Sequence, residues 1–217
     1  MIRMKEMNDS QKLKTGTTTV GIKCSDGVVL AADMRATAGG MVVQKDVKKI
    51  VEVTDMMAMT TAGNVSDIQL LIKLIRAELK LKEVRTGMKP NVKASANLLA
   101  SMVYQTIRQP FFPGVAHFLL GGADHEGVYL YDVFPDGSLN LHKDYVTTGS
   151  GMVFALGVME AGYKKDMTIA DGVKLAKKAI NAALQRDTHS GEGILIYTVT
   201  SAGVKKHSMK RIPRNVE

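Results

Sequence analysis

The sequence has little of several features that mark particular classes of protein. Its 217 residues include a single cysteine, which excludes an internal disulfide and favours a reducing compartment such as the cytoplasm. No apolar run approaches the length of about 20 residues that a membrane-spanning helix needs. Residues 1–16 carry charged side chains without an apolar core, so we expect a short soluble leader rather than a signal peptide.

Signals for nucleic acid and for metal ions are also weak. The formal net charge is +8, but the basic residues are spread along the chain, and no stretch interleaves them with aromatic side chains. The five histidines have no ligand spacing and form no HExxH motif. We therefore expect no nucleic-acid partner, no metal ion and no cofactor.

The composition itself is typical of a globular protein. Hydrophobic residues make up 45% of the sequence and charged residues 23%. A chain of this length can bury a sizeable core, which favours one domain and leaves two small domains as the alternative.

Short strands dominate the first quarter of the chain. Apolar residues predict four of them, at 17–25, 28–34, 49–53 and 56–61. Asp26-Gly27 joins the first two as a turn, and Gly39-Gly40 indicates another. This quarter is therefore a run of strands rather than an alternation of strand and helix.

Helical periodicity follows. We expect Asn64 to cap a helix that reaches about Lys82. Its apolar residues form two stripes on nearly opposite faces, and the second stripe consists of Leu70, Leu74, Ala77 and Leu81. A helix that is apolar on two opposite sides needs two partners, and a sheet covers only one side. A second helix is predicted at 91–109, before Pro110.

The second half of the chain repeats this order. Strands are predicted at 117–122, 128–133, 139–141 and 145–148. One helix follows the glycine-rich loop 148–151, another starts at Thr168, and a last strand covers 193–201. Strands, two helices, strands, two helices and a strand predict an α+β domain of two stacked sheets with helices outside.

Three threonines after Gly16 form the stretch with the clearest chemical potential. A threonine hydroxyl inside a chain is a poor nucleophile, but at a chain's N-terminus its own α-amine can act as the base. Cutting between Gly16 and Thr17 would create such a residue. Taken alone, however, a run of threonines more often indicates only a strand.

Six fragments of the sequence carry a resemblance to a known family. They are GTTTVG (16–21), ADMR (32–35), KKI (48–50), TAG (61–63), TGSG (148–151) and RDTHSG (186–191). In this order and spacing they resemble proteasome core-particle β subunits of the archaeal type, and the resemblance covers the chain from Thr17 onward. It implies the N-terminal nucleophile hydrolase fold, a four-layer αββα sandwich of two antiparallel sheets flanked by helix pairs. The element order above agrees with it independently.

The resemblance implies a catalytic role for seven residues. Thr17 would be the nucleophile, with its freed α-amine as the base. The positive charge of Lys49 would favour the more anionic form of the Thr17 hydroxyl oxygen, and Asp33 would pair with Lys49. The other four are Gly63, whose N–H would stabilise the oxyanion, and Ser150, Asp187 and Ser190, which would orient the amine and its water.

The same resemblance implies processing and a substrate pocket. Residues 1–16 would be a propeptide removed by self-cleavage between Gly16 and Thr17, and residues 17–217 would form a single catalytic domain. The pocket for the residue before the cut would be lined by Ala36, Thr37, Val47, Thr61 and Val65. None of these is charged, so we expect cleavage after apolar residues.

The implied function is a threonine endopeptidase that degrades unfolded polypeptides in a closed chamber in the cytoplasm. Its implied partners are other β subunits in a heptameric ring, rings of α subunits, and a regulatory ATPase that acts through the α ring. Two alternatives stay open: a non-catalytic ring subunit of the same fold, and the smaller bacterial ATP-dependent relative. The Thr17, Asp33 and Lys49 set argues against the first, and fragment 186–191 fits the proteasome better than the second.

Two other potential nucleophiles are given structural interpretations. Cys24 alternates with Ile22 and Val20, so we expect a core residue. His189 and Ser190 are neighbours in sequence, and neighbours rarely have the geometry of a catalytic pair.

Overall fold

The computed structural model describes residues 16–110 and 114–211, with side chains described as far as residue 207. The predicted leader therefore lies outside the described residues, apart from Gly16. The elements are β1 (Thr18–Lys23), β2 (Val28–Asp33), β3 (Ala36–Ala38), β4 (Met41–Gln44), β5 (Ile50–Thr54), β6 (Met57–Thr60), β7 (Ala62–Gly63), α1 (Val65–Thr86), α2 (Val92–Ile107), β8 (Ala116–Asp124), β9 (Gly127–Val133), β10 (Leu139–His142), β11 (Tyr145–Gly149), α3 (Met152–Gly162), α4 (Ile169–Arg186), β12 (Gly193–Thr200) and β13 (Gly203–Arg211).

Two antiparallel sheets form the centre of the molecule. The first has the strand order β11-β1-β2-β12-β13, and the second has the order β10-β9-β8-β6-β5, with β7 paired to β8. A separate hairpin of β3 and β4 lies outside both sheets. Because β1 and β2 are central strands of the first sheet, the residues at their ends are surrounded by neighbouring strands and loops.

Helix pairs cover the outer face of each sheet. Helices α3 and α4 pack on the first sheet, and α1 and α2 pack on the second. A third apolar cluster, which includes Leu30, Leu119 and Leu195, fills the space between the sheets. Strand β2 is buried along its whole length because a helix layer lies on one side and the other sheet on the opposite side. The four-layer αββα fold predicted from the sequence is confirmed.

Helix α1 has the two faces that its sequence predicts. Asn64 caps it by accepting a hydrogen bond from the N–H of Ser66, and Gly87, which follows the last helical residue, has the left-handed φ of 67°. Its buried stripe is Ile68, Leu71, Ile75 and Leu79. The opposite stripe of Leu70, Leu74, Ala77 and Leu81 is exposed, since only the sheet side of this helix is covered.

Strands at two places differ from the sequence prediction. The Gly39-Gly40 turn belongs to the β3–β4 hairpin, whose second strand is exposed throughout and so has no buried alternation to reveal it. The strand predicted as the last is followed by β13, which pairs with it as the edge of the first sheet. The exposed Lys205 and Lys206 of β13 are typical of an edge strand. Polar residues at these positions give no apolar alternation from which the strand could be predicted.

The described residues contain neither a helix suited to crossing a membrane nor a cluster of metal-binding side chains. None of the helices in 16–110 and 114–211 is long and apolar enough to cross a membrane. The same residues contain no group of three or more His, Cys, Asp and Glu side chains that could hold a metal ion.

Candidate active site

Thr17 lies immediately before β1, where the ends of three strands meet. The next residue, Thr18, is paired with Gly149 of β11, and β2 lies on the other side of β1. The Thr17 side chain is buried, and its hydroxyl donates to the carbonyl oxygen of Gly16 at 2.8 Å. Its backbone nitrogen, which is in peptide linkage to Gly16, donates to Oγ of Ser150 at 3.2 Å.

A buried ion pair lies beside Thr17. Asp33 ends β2 and Lys49 precedes β5, and their side chains meet with Nζ 2.8 Å from Oδ1. Asp33 is fully buried, but three backbone N–H groups also donate to its carboxylate, from Thr18 at 3.0 Å, Arg35 at 3.0 Å and Gly191 at 3.1 Å. The charge is therefore compensated by four donors, as a buried carboxylate requires.

The Lys49 ammonium also faces the bond before Thr17. Its Nζ donates to the carbonyl oxygen of Gly16 at 3.2 Å. Burial lowers the pKa of Lys49 below its ordinary value of 10.5, and the attraction of Asp33 only partly opposes this effect. The site thus places a partly desolvated cation where it polarises the Gly16 carbonyl group.

Ser150, Asp187 and Ser190 form a connected group on the other side of Thr17. Asp187, at the C-terminal end of α4, accepts hydrogen bonds on Oδ2 from the hydroxyls of Ser150 and Ser190, both at 2.6 Å. Because the Ser150 hydroxyl has one proton, donating it to Asp187 leaves its oxygen free to accept from the N–H of Thr17. The Ser190 hydroxyl also lies 2.7 Å from the hydroxyl of Thr18.

Gly63 lies in the two-residue strand β7, which pairs with the start of β8. Its φ is 124°, and a Cβ at this position would overlap the carbonyl oxygen of Val115. The fold therefore needs glycine here for two reasons, the backbone angle and the close approach of β8. Gly63 lines the same pocket as Thr17.

A pocket of about 230 Å³ opens beside Thr17. All five residues that the sequence analysis assigned to a substrate pocket line it: Ala36, Thr37, Val47, Thr61 and Val65. Its wall also includes seven residues to which the sequence analysis gave no role in the site: Arg35, Lys48, Val51, Ala62, Ile68, Gln69 and Ile72. Ile68 and Ile72 belong to the apolar stripe of α1 that faces the sheet, and helical spacing alone does not distinguish such a core position from a pocket wall.

Arg35 is a further residue of this region to which the sequence analysis gave no role. Its guanidinium pairs with Glu192 at 3.0 Å and donates to the carbonyl oxygen of Thr188 at 2.9 Å. Because its backbone N–H also donates to the carboxylate of Asp33, Arg35 links the end of β2 to the loop that follows α4. No local sequence pattern predicts such a contact between residues 153 positions apart.

The two other potential nucleophiles lie in different surroundings. Cys24 is buried in the core between the first sheet and its helices, and burial raises the pKa of its thiol to about 12. His189 does not activate Ser190: its Nδ1 lies 3.2 Å from the hydroxyl of Thr37, whereas Ser190 donates to Asp187. The prediction that Cys24 is a core residue is confirmed.

The αββα sandwich, with a threonine at the start of a central strand, defines the class of N-terminal nucleophile hydrolase folds. A family model described as proteasome subunit matches residues 13–199. The chain belongs to the proteasome subunit family, and its relatives include β subunits of archaea.

Three of these relatives show the extent of the similarity. The chain is 43% identical over 191 residues to the proteasome subunit beta of Methanocaldococcus fervens, covering 88% of this chain and 84% of that protein. It is 45% identical over 203 residues to the proteasome subunit beta 2 of Pyrococcus abyssi, covering 94% and 95%. It is 40% identical over 202 residues to the proteasome subunit beta of Archaeoglobus fulgidus, covering 93% of each.

Proposed function

We propose that this chain is a catalytic β subunit, a threonine endopeptidase that becomes active when it cuts itself between Gly16 and Thr17. The observation that carries the proposal is the convergence of Thr17 and Lys49 on the carbonyl group of Gly16, with Nζ of Lys49 at 3.2 Å and the Thr17 hydroxyl at 2.8 Å from its oxygen, while Asp33 holds Lys49 in place. A non-catalytic subunit would have no need to bury a lysine at this point.

The proposed self-cleavage begins with attack by the Thr17 hydroxyl on the carbonyl carbon of Gly16. A C–O bond forms, the C–N bond to Thr17 breaks, and the threonine nitrogen gains the proton that the hydroxyl loses. The resulting ester is hydrolysed by water, which releases Gly16 as a carboxylate and leaves Thr17 with a free amine and a free hydroxyl. The Lys49 ammonium stabilises negative charge as it develops beside the reacting bond.

The mature chain then uses the freed amine as the base. It accepts the hydroxyl proton, directly or through a water molecule, while the oxygen attacks the substrate carbonyl. The oxyanion is stabilised by the N–H of Gly63, the leaving amine takes up the proton, and water hydrolyses the ester that remains. Ser150 and its partners Asp187 and Ser190 hold the threonine nitrogen in place.

The pocket beside Thr17 accounts for the proposed preference for apolar residues. Val47, Val51 and the α1 residues Ile68 and Ile72 form apolar walls. A charged substrate side chain placed against these walls would lose its hydration without gaining a partner. Of the two cations in the lining other than Lys49, Arg35 is already paired with Glu192, and Lys48 is exposed to water. The pocket also contains Gln69 and the hydroxyls of Thr37 and Thr61, which can accommodate a polar group such as the hydroxyl of tyrosine.

We further propose that the chain works within a ring of seven β subunits, stacked on rings of α subunits through which a regulatory ATPase delivers unfolded polypeptides. The exposed stripe of Leu70, Leu74 and Leu81 on α1 supports this part of the proposal, because a contiguous apolar surface of this kind is typical of subunit contacts. A cytoplasmic location remains a prediction from the resemblance and the single cysteine.

Assembly of the chain with an α subunit, followed by mass spectrometry and a fluorogenic peptide assay, tests the proposal. Wild-type chains should begin at Thr17 and cleave the peptide. Thr17→Ala should retain the leader and be inactive, whereas Thr17→Ser, which keeps the hydroxyl, should retain part of both activities. Wild-type chains that keep Gly16 and still cleave peptides would refute the N-terminal threonine mechanism.

A further inference from the structure

Gly16, the residue before the proposed cleavage point, is held through its own backbone N–H by contacts that the proposed mechanism does not use. The N–H of Gly16 donates to Oγ1 of Thr37 at 3.3 Å, and that oxygen lies 3.2 Å from Nδ1 of His189. In the tautomer whose Nδ1 carries no proton, the imidazole accepts a hydrogen bond from the Thr37 hydroxyl. The three groups then form one directional chain of hydrogen bonds, from Gly16 through Thr37 to His189.

His189 also limits the space around Gly16. A Cβ at residue 16 would overlap the Cβ of His189 and come within 2.8 Å of Oγ of Ser150. His189 is itself fixed, because its backbone N–H donates to Oδ1 of Asp187 at 3.2 Å. The loop after α4 therefore packs closely over Gly16 and leaves no room for a side chain there.

Gly16 is thus held at both ends of its backbone. Its carbonyl oxygen accepts from Lys49 and Thr17, and its N–H donates to Thr37. Glycine has the greatest backbone freedom of any residue, so a carbonyl group preceded by an unfixed glycine N–H would sample many orientations. Intramolecular attack is sensitive to such misplacement, because its rate depends on holding the reacting atoms close and aligned.

We infer that His189 is a positioning residue for leader removal: through Thr37 it fixes the amide of Gly16 and so orients the bond that Thr17 attacks. The inference rests on the proposed self-cleavage. The positioning effect is specific to the leader, because a substrate residue with a side chain cannot adopt the position of Gly16 without overlapping His189. His189 therefore contributes to maturation and not to peptide cleavage by the mature chain.

The test compares two forms of the chain, each assembled with an α subunit. In the full-length form, the rate of leader loss is followed by mass spectrometry. In the second form, an N-terminal fusion is removed by another protease so that Thr17 is exposed without self-cleavage, and peptide hydrolysis is measured. His189→Ala is examined in both forms, and Thr188→Ala, an exposed neighbour in the same loop, is the matched control.

We expect His189→Ala to slow leader loss by about tenfold, the factor that corresponds to one lost hydrogen bond, and Thr188→Ala to leave it unchanged. The pre-exposed His189→Ala chain should hydrolyse peptides at the wild-type rate. In the full-length form, Thr37→Val should slow leader loss as His189→Ala does, and Thr37→Ser should restore it, because only the hydroxyl joins Gly16 to His189.

Three results would overturn this inference or what it rests on. Wild-type leader loss in full-length His189→Ala would show that the contact has no positioning effect. An equal decrease of leader loss and of peptide hydrolysis by the pre-exposed chain would show that His189 supports the whole site rather than the leader. If the wild-type chain itself kept its leader while active, the proposed self-cleavage would fail, which is a separate outcome from the failure of His189.

Discussion

The side-chain nitrogen of Lys49 lies 3.2 Å from the carbonyl oxygen of Gly16, and it remains paired with Asp33 at 2.8 Å. One buried ammonium therefore connects the peptide bond before Thr17 to the carboxylate at the end of β2. Because the same group would stabilise the attacking oxygen in both leader removal and substrate cleavage, a change at Lys49 should affect the two reactions together.

Lys49→Ala should abolish leader removal and, in a chain whose Thr17 is exposed by another protease, peptide cleavage. We expect each rate to fall at least about 10²-fold, as loss of a preorganised charge at a reacting oxygen does. Lys45→Ala, which removes an exposed lysine of the same segment, is the control. Normal leader removal by Lys49→Ala would contradict the role of this ammonium.

The pH dependence of leader removal should show an alkaline decrease below pH 10.5. Burial lowers the pKa of Lys49 from that value, so the ammonium is lost at a lower pH in the folded chain than in the unfolded one. Rates of leader loss measured from neutral pH upward should therefore fall before 10.5 is reached. A rate that stays constant up to 10.5 would argue against an ammonium at this position.

Folding stability should change in the opposite direction over the same pH window. The cost of burying the charged Lys49 is fully present below its folded pKa and disappears as the pH rises towards 10.5, since the unfolded chain then also loses the proton. The contribution of Lys49 to the free energy of unfolding thus rises with pH while the rate falls. Denaturant unfolding of wild type and Lys49→Met across this range distinguishes loss of the catalytic charge from alkaline unfolding.

Cys24 should resist thiol reagents in the folded chain. Its side chain is buried, and a pKa raised to about 12 leaves almost no thiolate at mildly alkaline pH. Alkylation followed by mass spectrometry should show slow modification of the native protein and complete modification after unfolding in guanidinium. Peptide cleavage should persist in the presence of the reagent. Rapid native modification with loss of activity would place Cys24 in the reaction and refute its assignment to the core.

Substrate preference should follow the apolar wall of the pocket. A panel of peptides should be cut faster after Leu or Tyr than after Glu or Arg, because Val47, Val51 and Ile72 offer no partner for a charge. Gln69→Lys places a cation at the pocket and should raise cleavage after Glu relative to Leu, whereas Ser66→Lys, on α1 outside the lining residues, should not. A wild-type preference for Glu or Arg would show that this pocket does not hold the residue before the cut.

Assembly should depend on the exposed stripe of α1. The double variant Leu70→Glu, Leu74→Glu places two charges on a surface whose burial in a ring would then be unfavourable. We expect it to impair ring formation, measured by light scattering, while the thermal unfolding of the single chain changes little. Lys73→Glu, an exposed position on the same helix, is the control for added negative charge. Rings of normal size from the double variant would exclude this stripe as a subunit contact.

The fold was predictable wherever burial is periodic along the chain. The alternation of β1, the apolar run of β2 before Asp33 and the two stripes of α1 appear directly in the sequence, because each element has its own pattern of contact with the layers around it. The β3–β4 hairpin and β13 were missed because β3 has only three residues, β4 is exposed throughout, and the exposed Lys205 and Lys206 of β13 contribute nothing to an apolar pattern.

The candidate site likewise has features that the sequence predicts and contacts that depend on how the chain packs. Its residue types can be read from the sequence alone: the glycine–threonine junction, and one lysine and one aspartate in strand-rich surroundings. The sequence also shows a two-faced helix that needs a second partner. Which groups meet follows from the folded chain, as for Ser150 and Asp187, 37 positions apart, and for Thr37 and His189, 152 positions apart. Local periodicity records which side of an element is buried, whereas hydrogen bonds between distant loops depend on how the two sheets and their helix layers pack. The contact of His189 with Gly16 therefore became visible only in the folded chain.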